Sequence, residues 1–375
     1  MAYILQLLPI GDCCASSSST NGESIKIFDL ERTDKPTIEL EHHQQGRVNQ
    51  LVCSHSSGSS LLFGCFSSSS VILAWDTRSN QLGPTLQING QSATPFLSLA
   101  HATGDTPLIA AGSSSEDESA SSQIELFDLR SSSPSTPLCI YDQAHSDSIT
   151  CLEFNPAEHS AHQLLSASTD GLLVLHDTNI ADQDHSILFT ANTGASLAHA
   201  RWQPDSHSIW AASDMETLSQ WHPEQLSLVK DYGDLRQGPL AKPDPSWQEP
   251  VSYIISLANP SPTQSAYFAG SQCGDVILVD TTQPDTEKWN VLASLKSGHT
   301  EMVRCAALDH HNARVLTGGE DGQICVWSTD REKLENKLLN QFTPSSTPTQ
   351  PSQKTASNLK ITASKQNRFN PYNRI

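Results

Sequence analysis

The sequence predicts an all-β fold built from one repeated unit of short strands, and three observations carry that reading. The stretch Leu295 to Asp330 holds three runs with alternating apolar positions, Val303 to Leu308, Arg314 to Thr317 and Gln323 to Trp327, each the length of a short strand. Between the second and third lies Gly318-Gly319-Glu320-Asp321-Gly322, which is hairpin-turn chemistry because glycine tolerates the positive φ angles of such turns. A closing run like Gln323 to Trp327 recurs along the chain, aliphatic and ending on an aromatic or apolar side chain.

In chain order these runs end at Phe28, Trp75, Phe127, His176, Trp221, Val279 and Trp327, and five of the seven are followed by Asp. Successive ends lie 47, 52, 49, 45, 58 and 48 residues apart. That is longer than the ~40 to 45 residues of a four-stranded repeat, so the excess is assigned to loops. Tyr3 to Pro9 reads as the first strand of the first unit. Ser113 to Ser122, SSSEDESASS, reads as a solvated acidic loop between the second and third strands of the third unit. Arg236 to Pro250 carries four prolines and accounts for the 58-residue step. Its Trp247 either packs on a neighbouring unit or is presented to a partner, and it is kept as a candidate contact.

The Gly298-His299 start, the Leu316 to Gly322 turn and the terminal Trp327 stand at the spacing of a WD repeat, and the chain resembles the WD-repeat family. The resemblance implies a seven-bladed β-propeller whose radial closure protects the blade edges. It also implies a buried structural relay running from Asp321 to His299, Thr317 and Trp327. A second copy runs from Ala144-His145 through Ser166 and Asp170 to His176. With Trp absent there, only part of a relay is expected. The other five copies lack an obvious Gly-His and are expected to be held by apolar alternation. AHSDSITCLEFNP, LLSASTDGLLVLHDTNI and AAGSSSEDESASSQIELFDLR resemble one branch of the family. Plant members of that branch are linked to ribosome biogenesis, and no catalytic residues carry over from it.

Composition narrows the function classes. The net charge is -19 with 17% charged residues. Residues 343–375 change character, from a Ser/Thr/Pro-rich linker to a tail with Lys354, Lys360, Lys365, Arg368 and Arg374 and no acid. Subtracting that +5 from -19 leaves -24 on residues 1–342. These two parts are read as the propeller and a disordered basic tail. An acidic body argues against general nucleic-acid binding and favours basic protein partners or a multiprotein assembly. The tail, with Phe369 and Tyr372 among its cations, is the candidate RNA contact. Nine cysteines without Cys-x-x-Cys read as small core residues in a reducing compartment. A leader and an 18-residue apolar stretch are both missing, so the expected location is nucleus or cytoplasm, without membrane contact.

His299, Thr317 and Asp321 could be taken for a catalytic triad, but their spacing is that of the structural relay. Nucleophile-elbow, P-loop, His-Glu-x-x-His and dinucleotide fingerprints are lacking, so neither an enzyme nor a cofactor is expected. His159 and His162 lack further ligands at metal spacing. Asp76 with Arg78, and Asp128 with Arg130, resemble the signature by which some propellers dock on the adaptor of cullin-RING ubiquitin ligases. The plainer reading is that each Arg pairs with a nearby carboxylate. The expected function is a protein-interaction scaffold, monomeric outside its complex, in a nuclear or nucleolar assembly such as ribosome biogenesis. A ligase substrate receptor and a propeller hydrolase of the diphthine methylesterase type are the alternatives. Because Tyr3 to Pro9 already reads as the first strand, Leu338 to Phe342 is expected to pair with Gln323 to Trp327 and close the last unit.

Overall fold

A computed structural model describes residues 2–328, apart from 21–23, 33–34, 43–44, 55–60, 80, 103–106, 116–121, 204–206, 239, 243–246, 248, 262 and 284. Most of the acidic loop, the tail and the proposed closing strand lie outside the described residues. The described chain forms seven antiparallel sheets, each built from consecutive strands. Blade 1 is β1 (Ile4–Ile10), β2 (Cys13–Ser18), β3 (Ile25–Asp29) and β4 (Ile38–Leu40). Blade 2 is β5 (Val48–Cys53), β6 (Leu61–Phe66), β7 (Ser69–Asp76) and β8 (Leu86–Asn89). Blade 3 is β9 (Phe96–His101), β10 (Leu108–Ser113), β11 (Ser122–Asp128) and β12 (Cys139–His145). Blade 4 is β13 (Ile149–Phe154), β14 (Gln163–Ser168), β15 (Leu172–Asp177) and β16 (Ile187–Asn192). Blade 5 is β17 (Leu197–Trp202), β18 (Ile209–Ser213), β19 (Thr217–His222) and β20 (Ser227–Asp234). Blade 6 is β21 (Tyr253–Ser261), β22 (Gln264–Gly270), β23 (Val276–Asp280) and β24 (Asn290–Leu295). Blade 7 is β25 (Val303–Asp309), β26 (Arg314–Gly319) and β27 (Ile324–Ser328), three strands among the described residues.

The protein is thus an all-β, seven-bladed propeller, and every closing run read from the sequence is the third strand of its blade. Those strands are almost wholly apolar because both faces are covered by neighbouring blades. The first strands line the central channel, and β1 lies against β25 and β26, which brings blade 1 onto blade 7. Antiparallel order puts the connections between first and second strands, and between third and fourth, on one face of the disc. The other connections lie on the opposite face.

The core is seven separate layers, each between two adjacent blades. Blades 1 and 2 enclose Phe66 and Trp75, and blades 2 and 3 enclose Phe63, Phe96 and Phe127. Blades 4 and 5 enclose Trp202 and Trp221, and blades 6 and 7 enclose Phe268 and Trp327. Each aromatic ring supplies a large buried area to its layer.

A first strand has one edge bonded to its own sheet and the other facing the next blade, too splayed to form a ladder. Side chains pair that free edge, since an unmet buried backbone group is costly. Gln6 acts as a substitute strand: its Nε2 donates to Leu51 O at 2.8 Å and its Oε1 accepts from Leu51 N at 2.6 Å. Gln50 Oε1 accepts from Leu99 N at 2.7 Å, and Asn49 Nδ2 donates to Phe96 O at 2.7 Å. Ser98 bridges blades 3 and 4 through Ile149 O at 2.7 Å. Thr150, Cys151 and Glu153 bridge blades 4 and 5 at 2.7, 3.0 and 2.6 Å. Arg201 and Asn259 bridge blades 5 and 6, each at 3.0 Å, while Ser256 and Tyr253 bridge blades 6 and 7 at 3.2 and 2.9 Å.

Gln6→Leu keeps the bulk and strands both backbone groups of Leu51. Equilibrium urea unfolding is expected to show a loss of about 1 to 3 kcal/mol. Stability equal to wild type would mean that channel water already serves that edge.

Candidate functional site

The sequence-derived surface candidates divide clearly. Asp76 and Asp128 end β7 and β11, and each Oδ1 accepts the backbone N–H two residues on, at 3.0 Å from Arg78 and 2.9 Å from Arg130. Asp29, Asp177 and Asp280 make the same turn with Glu31, Asn179 and Thr282. Each guanidinium then folds back on its own Asp in a two-pronged pair: Arg78 at 3.1 and 3.2 Å, Arg130 at 3.2 and 3.1 Å. These pairs lower the carboxyl of Asp76 and of Asp128, through the Arg hydrogen bond first. Arg78 and Arg130 stay exposed, but the edge they would offer a partner is already occupied. A third pair of the same form, Asp234 with Arg236 after β20, was not read from the sequence.

Trp247 takes the packed of its two readings, which removes it as a candidate partner contact. It is 5% exposed, packed with Trp210, Tyr267 and Trp289 between blades 5 and 6, with Lys296 Nζ 5.5 Å from its ring centre. The indole of Trp247 finds an apolar wall there. His159 and His162 lie on the connection after β13, and no described group of three His, Cys, Asp or Glu is placed to hold a metal ion. Lys354, Lys360, Lys365, Arg368 and Arg374 lie outside the described residues.

The central channel is a cavity of 980 Å³ lined by first strands of the blades. Its wall is apolar over Leu5, Leu8, Val52 and Ala306, and carries one charged pair, Arg201 Nε 3.6 Å from Glu153 Oε1. Enclosure pushes the Glu153 carboxyl up, against the pull of Arg201 and the Trp202 N–H. His199 and His310 are pushed down by burial and so are neutral near pH 7. None of these channel groups was singled out from sequence, because their convergence depends on ring closure.

Inside blade 7, His299 Nδ1 lies 3.1 Å from Asp321 Oδ1 and its Nε2 lies 2.8 Å from Thr317 Oγ1. Trp327 Nε1 donates to the same hydroxyl at 2.8 Å. Thr317 is fully buried and His299 nearly so, so the hydroxyl sits where no substrate reaches it. Burial would lower the His299 imidazole, but the Asp321 hydrogen bond and Cys325 outweigh it and raise it to about 9. Gly298 is needed for this packing: a Cβ there would stand 2.4 Å from the Trp327 ring.

Blade 4 overturns the expectation of a partial relay. His145 Nδ1 meets Asp170 at 3.2 Å, its Nε2 meets Ser166 Oγ at 2.8 Å, and Ser166 Oγ lies 3.0 Å from His176 Nε2. His176 takes the place of the indole and stacks on Tyr141 at 5.1 Å and 3°. Burial, then the His145 charge, depresses His176 to about 3, so it is neutral. No bond is made by its buried Nδ1 among the described residues. A proton on Nε2 is therefore favoured, leaving only a lone pair stranded at Nδ1. The smaller ring also explains Ala144 where blade 7 has Gly298. A relay needs both a hydroxyl on the second strand and a ring nitrogen on the third: the hydroxyl position holds Ser166 and Thr317 here, but Gly64 in blade 2 and Ala111 in blade 3, while blade 1 has Ser16 there but Phe28 in place of a nitrogen-bearing ring. Blade 3 instead buries Glu125 on β11, which accepts from Gln91 N, Ser92 N and Gln123 Nε2 at 2.6 to 2.9 Å.

The family model for the WD domain, G-beta repeat (WD40), matches residues 135–177 and 289–328, the two stretches that hold these relays. The chain carries WD40 repeats. Over 347 residues it is 29% identical to WD repeat-containing protein GTS1 of Arabidopsis thaliana, covering 89% of this chain and 83% of that one. It is 24% identical to the WD repeat-containing protein 89 homolog of Dictyostelium discoideum over 349 residues, covering 92% and 87%. In fold it is similar to a chain in the crystal structure of the mitotic checkpoint complex, with TM-score 0.62, 14% identity and 84% of each chain covered.

In this WD-repeat propeller the two relays respond to pH with opposite sign. His299 is raised in the fold, so its contribution is complete below about pH 6.5 and is lost as pH rises through 9. His176 is depressed, so its contribution is present above about pH 6.5 and is lost as pH falls toward 3. Asp321→Ala is expected to cost about 1.5 to 3 kcal/mol at pH 6, and to flatten the loss of stability between pH 6.5 and 9. Urea unfolding at pH 6 and pH 9.5 measures both, and an unaltered pH dependence would sever His299 from Asp321. The ring-size argument is tested separately: His176→Trp alone should destabilise by about 1 to 3 kcal/mol through overpacking. Adding Ala144→Gly should restore most of that loss in a double-mutant cycle, whereas additive effects would refute the coupling.

Proposed function

We propose that this protein is a non-catalytic scaffold that offers the acidic face of its disc to a basic partner, in a nuclear or nucleolar assembly process such as ribosome biogenesis. The observation that supports it is a set of exposed carboxylates on one face of the disc. On the face holding the turns after the third strands stand the exposed carboxylates Asp12, Glu158, Asp182, Asp184, Glu224 and Glu287. Of the described cations on that face, Arg78, Arg130 and Arg314 are already paired with Asp76, Asp128 and Glu31. Arg32, Lys35 and Lys288 also lie on it. A surface on which carboxylates outnumber cations speeds encounter with a basic protein and disfavours acidic ones.

WD-repeat propellers serve as interaction scaffolds, and the paired state of Arg78 and Arg130 gives the ligase-receptor reading no added support. In the assembly reading the basic tail supplies an RNA contact that the acidic body cannot.

Affinity purification of the tagged protein, beside an Asp184→Lys, Glu224→Lys, Glu287→Lys variant, tests the reading. Ribosomal precursor particles should be recovered with wild type and fall by about tenfold or more with the variant, with steep salt dependence. Equal recovery by the two proteins, or recovery of a cullin-RING adaptor in place of the precursors, would overturn it. An unchanged unfolding midpoint confirms that the variant is folded.

A further inference from the structure

We propose that the ring opens at the junction of blade 7 with blade 1, in a local event separate from global unfolding, and that Cys305 is the weak link. At the other six junctions, hydroxyl, amide, carboxylate or guanidinium groups bond the neighbouring inner strand at 2.6 to 3.2 Å. Between blades 7 and 1, the inner strands are joined among the described residues by the Cys305 thiol, 3.7 Å from Ile4 O. It lies equally far from Gly318 O in its own blade. A thiol is a weak donor, and this one is divided between two distant acceptors. Cys151 uses a thiol at the junction of blades 4 and 5, but Thr150 and Glu153 stand beside it there.

Among the described residues, packing at the same junction is the thinnest of the seven. Its described layer encloses five buried side chains, Leu7, Cys14, Leu30, Cys305 and Leu316, where the others enclose ten to twelve. Phe28, buried and opposite Cys14 in the register, is the aromatic ring on that face of blade 1. Near the rim, Arg314 pairs with Glu31, and Asn312 Nδ2 reaches Asp12 Oδ1 at 3.4 Å. Exposed contacts of that kind add little to stability.

The register shows what a strong junction would need. Cys305, paired with Gly318, occupies the place in blade 7 that Gln6, paired with Ser17, and Gln50, paired with Cys65, occupy in blades 1 and 2. Leu7 holds the place in blade 1 that Leu51 and Leu99 hold as the amides' backbone partners. A glutamine at 305 would therefore meet Leu7 as Gln6 meets Leu51, and the channel beside Cys305 has room for it.

Two thiols at the junction report its opening. Cys14 is fully buried, with its thiol pushed up to about 12, and burial pushes Cys305 up as well. Cys65, equally buried between blades 2 and 3 and also near 12, is the internal control. Folded full-length protein is treated with iodoacetamide across a series of low urea concentrations, and alkylation is read residue by residue by peptide mass spectrometry. Cys14 and Cys305 are expected to react about tenfold or more faster than Cys65, with shallow urea dependence, while Cys65 follows global unfolding. All three reacting at one rate with one steep urea dependence would overturn the proposal. In Cys305→Gln, Cys14 should slow toward the rate of Cys65. Undiminished labelling of Cys14 in that folded variant would remove Cys305 as the weak link.

Discussion

The fold depends on how the inner strands meet their obligation to pair. Seven strands stand around a channel, and curvature separates each from the next too far for a backbone ladder, so one edge of every inner strand lacks a regular partner. Ordinary sheets hide such an edge with another strand. This ring uses individual side chains, Gln6, Gln50, Ser98, Thr150, Glu153, Arg201, Asn259 and Ser256, each aimed at a backbone group of the adjacent blade. The groups differ in kind because the requirement is only for a donor or acceptor within reach.

Polar satisfaction inside the blades follows a similar logic with different parts. Where the second strand carries a hydroxyl at the right register, a histidine, that hydroxyl and a ring nitrogen from the third strand can connect, as in blades 4 and 7. Where the position is glycine or alanine, the indole turns elsewhere: Trp75 donates to Glu41 O at 3.3 Å and Trp221 to Ser219 Oγ at 2.9 Å. The two relays also differ in charge state, since the same burial is answered by a carboxylate at His299 and only by a second imidazole at His176.

Much of this architecture was legible in the sequence because it is local. The third strands end in bulky apolar residues at regular intervals, and Gly298, His299, Thr317, Asp321 and Trp327 name their own partners by spacing. His176 was misjudged because the eye looks for an indole; Ala144 in place of glycine was the available clue that a smaller ring stands opposite. Glu125 gave no signal, since a glutamate between Ile124 and Leu126 looks like any solvent-facing strand residue until the connection from β8 to β9 folds over it. The inner-edge bonds and the Glu153–Arg201 pair join residues about 50 positions apart, and only closure of the ring brings them together.

Dividing the core into seven layers has a thermodynamic consequence. An open row of seven repeats has six interfaces, and bending the row into a circle adds a seventh that no single blade supplies. Stability is then a cyclic sum, in which a change in one layer is felt by its two bordering blades and little beyond them. Such a molecule tolerates a long insertion at one rim, as between β20 and β21, without disturbing the far side. Its cooperativity, by contrast, hangs on whichever interface is weakest, because breaking that one converts the circle back into a row.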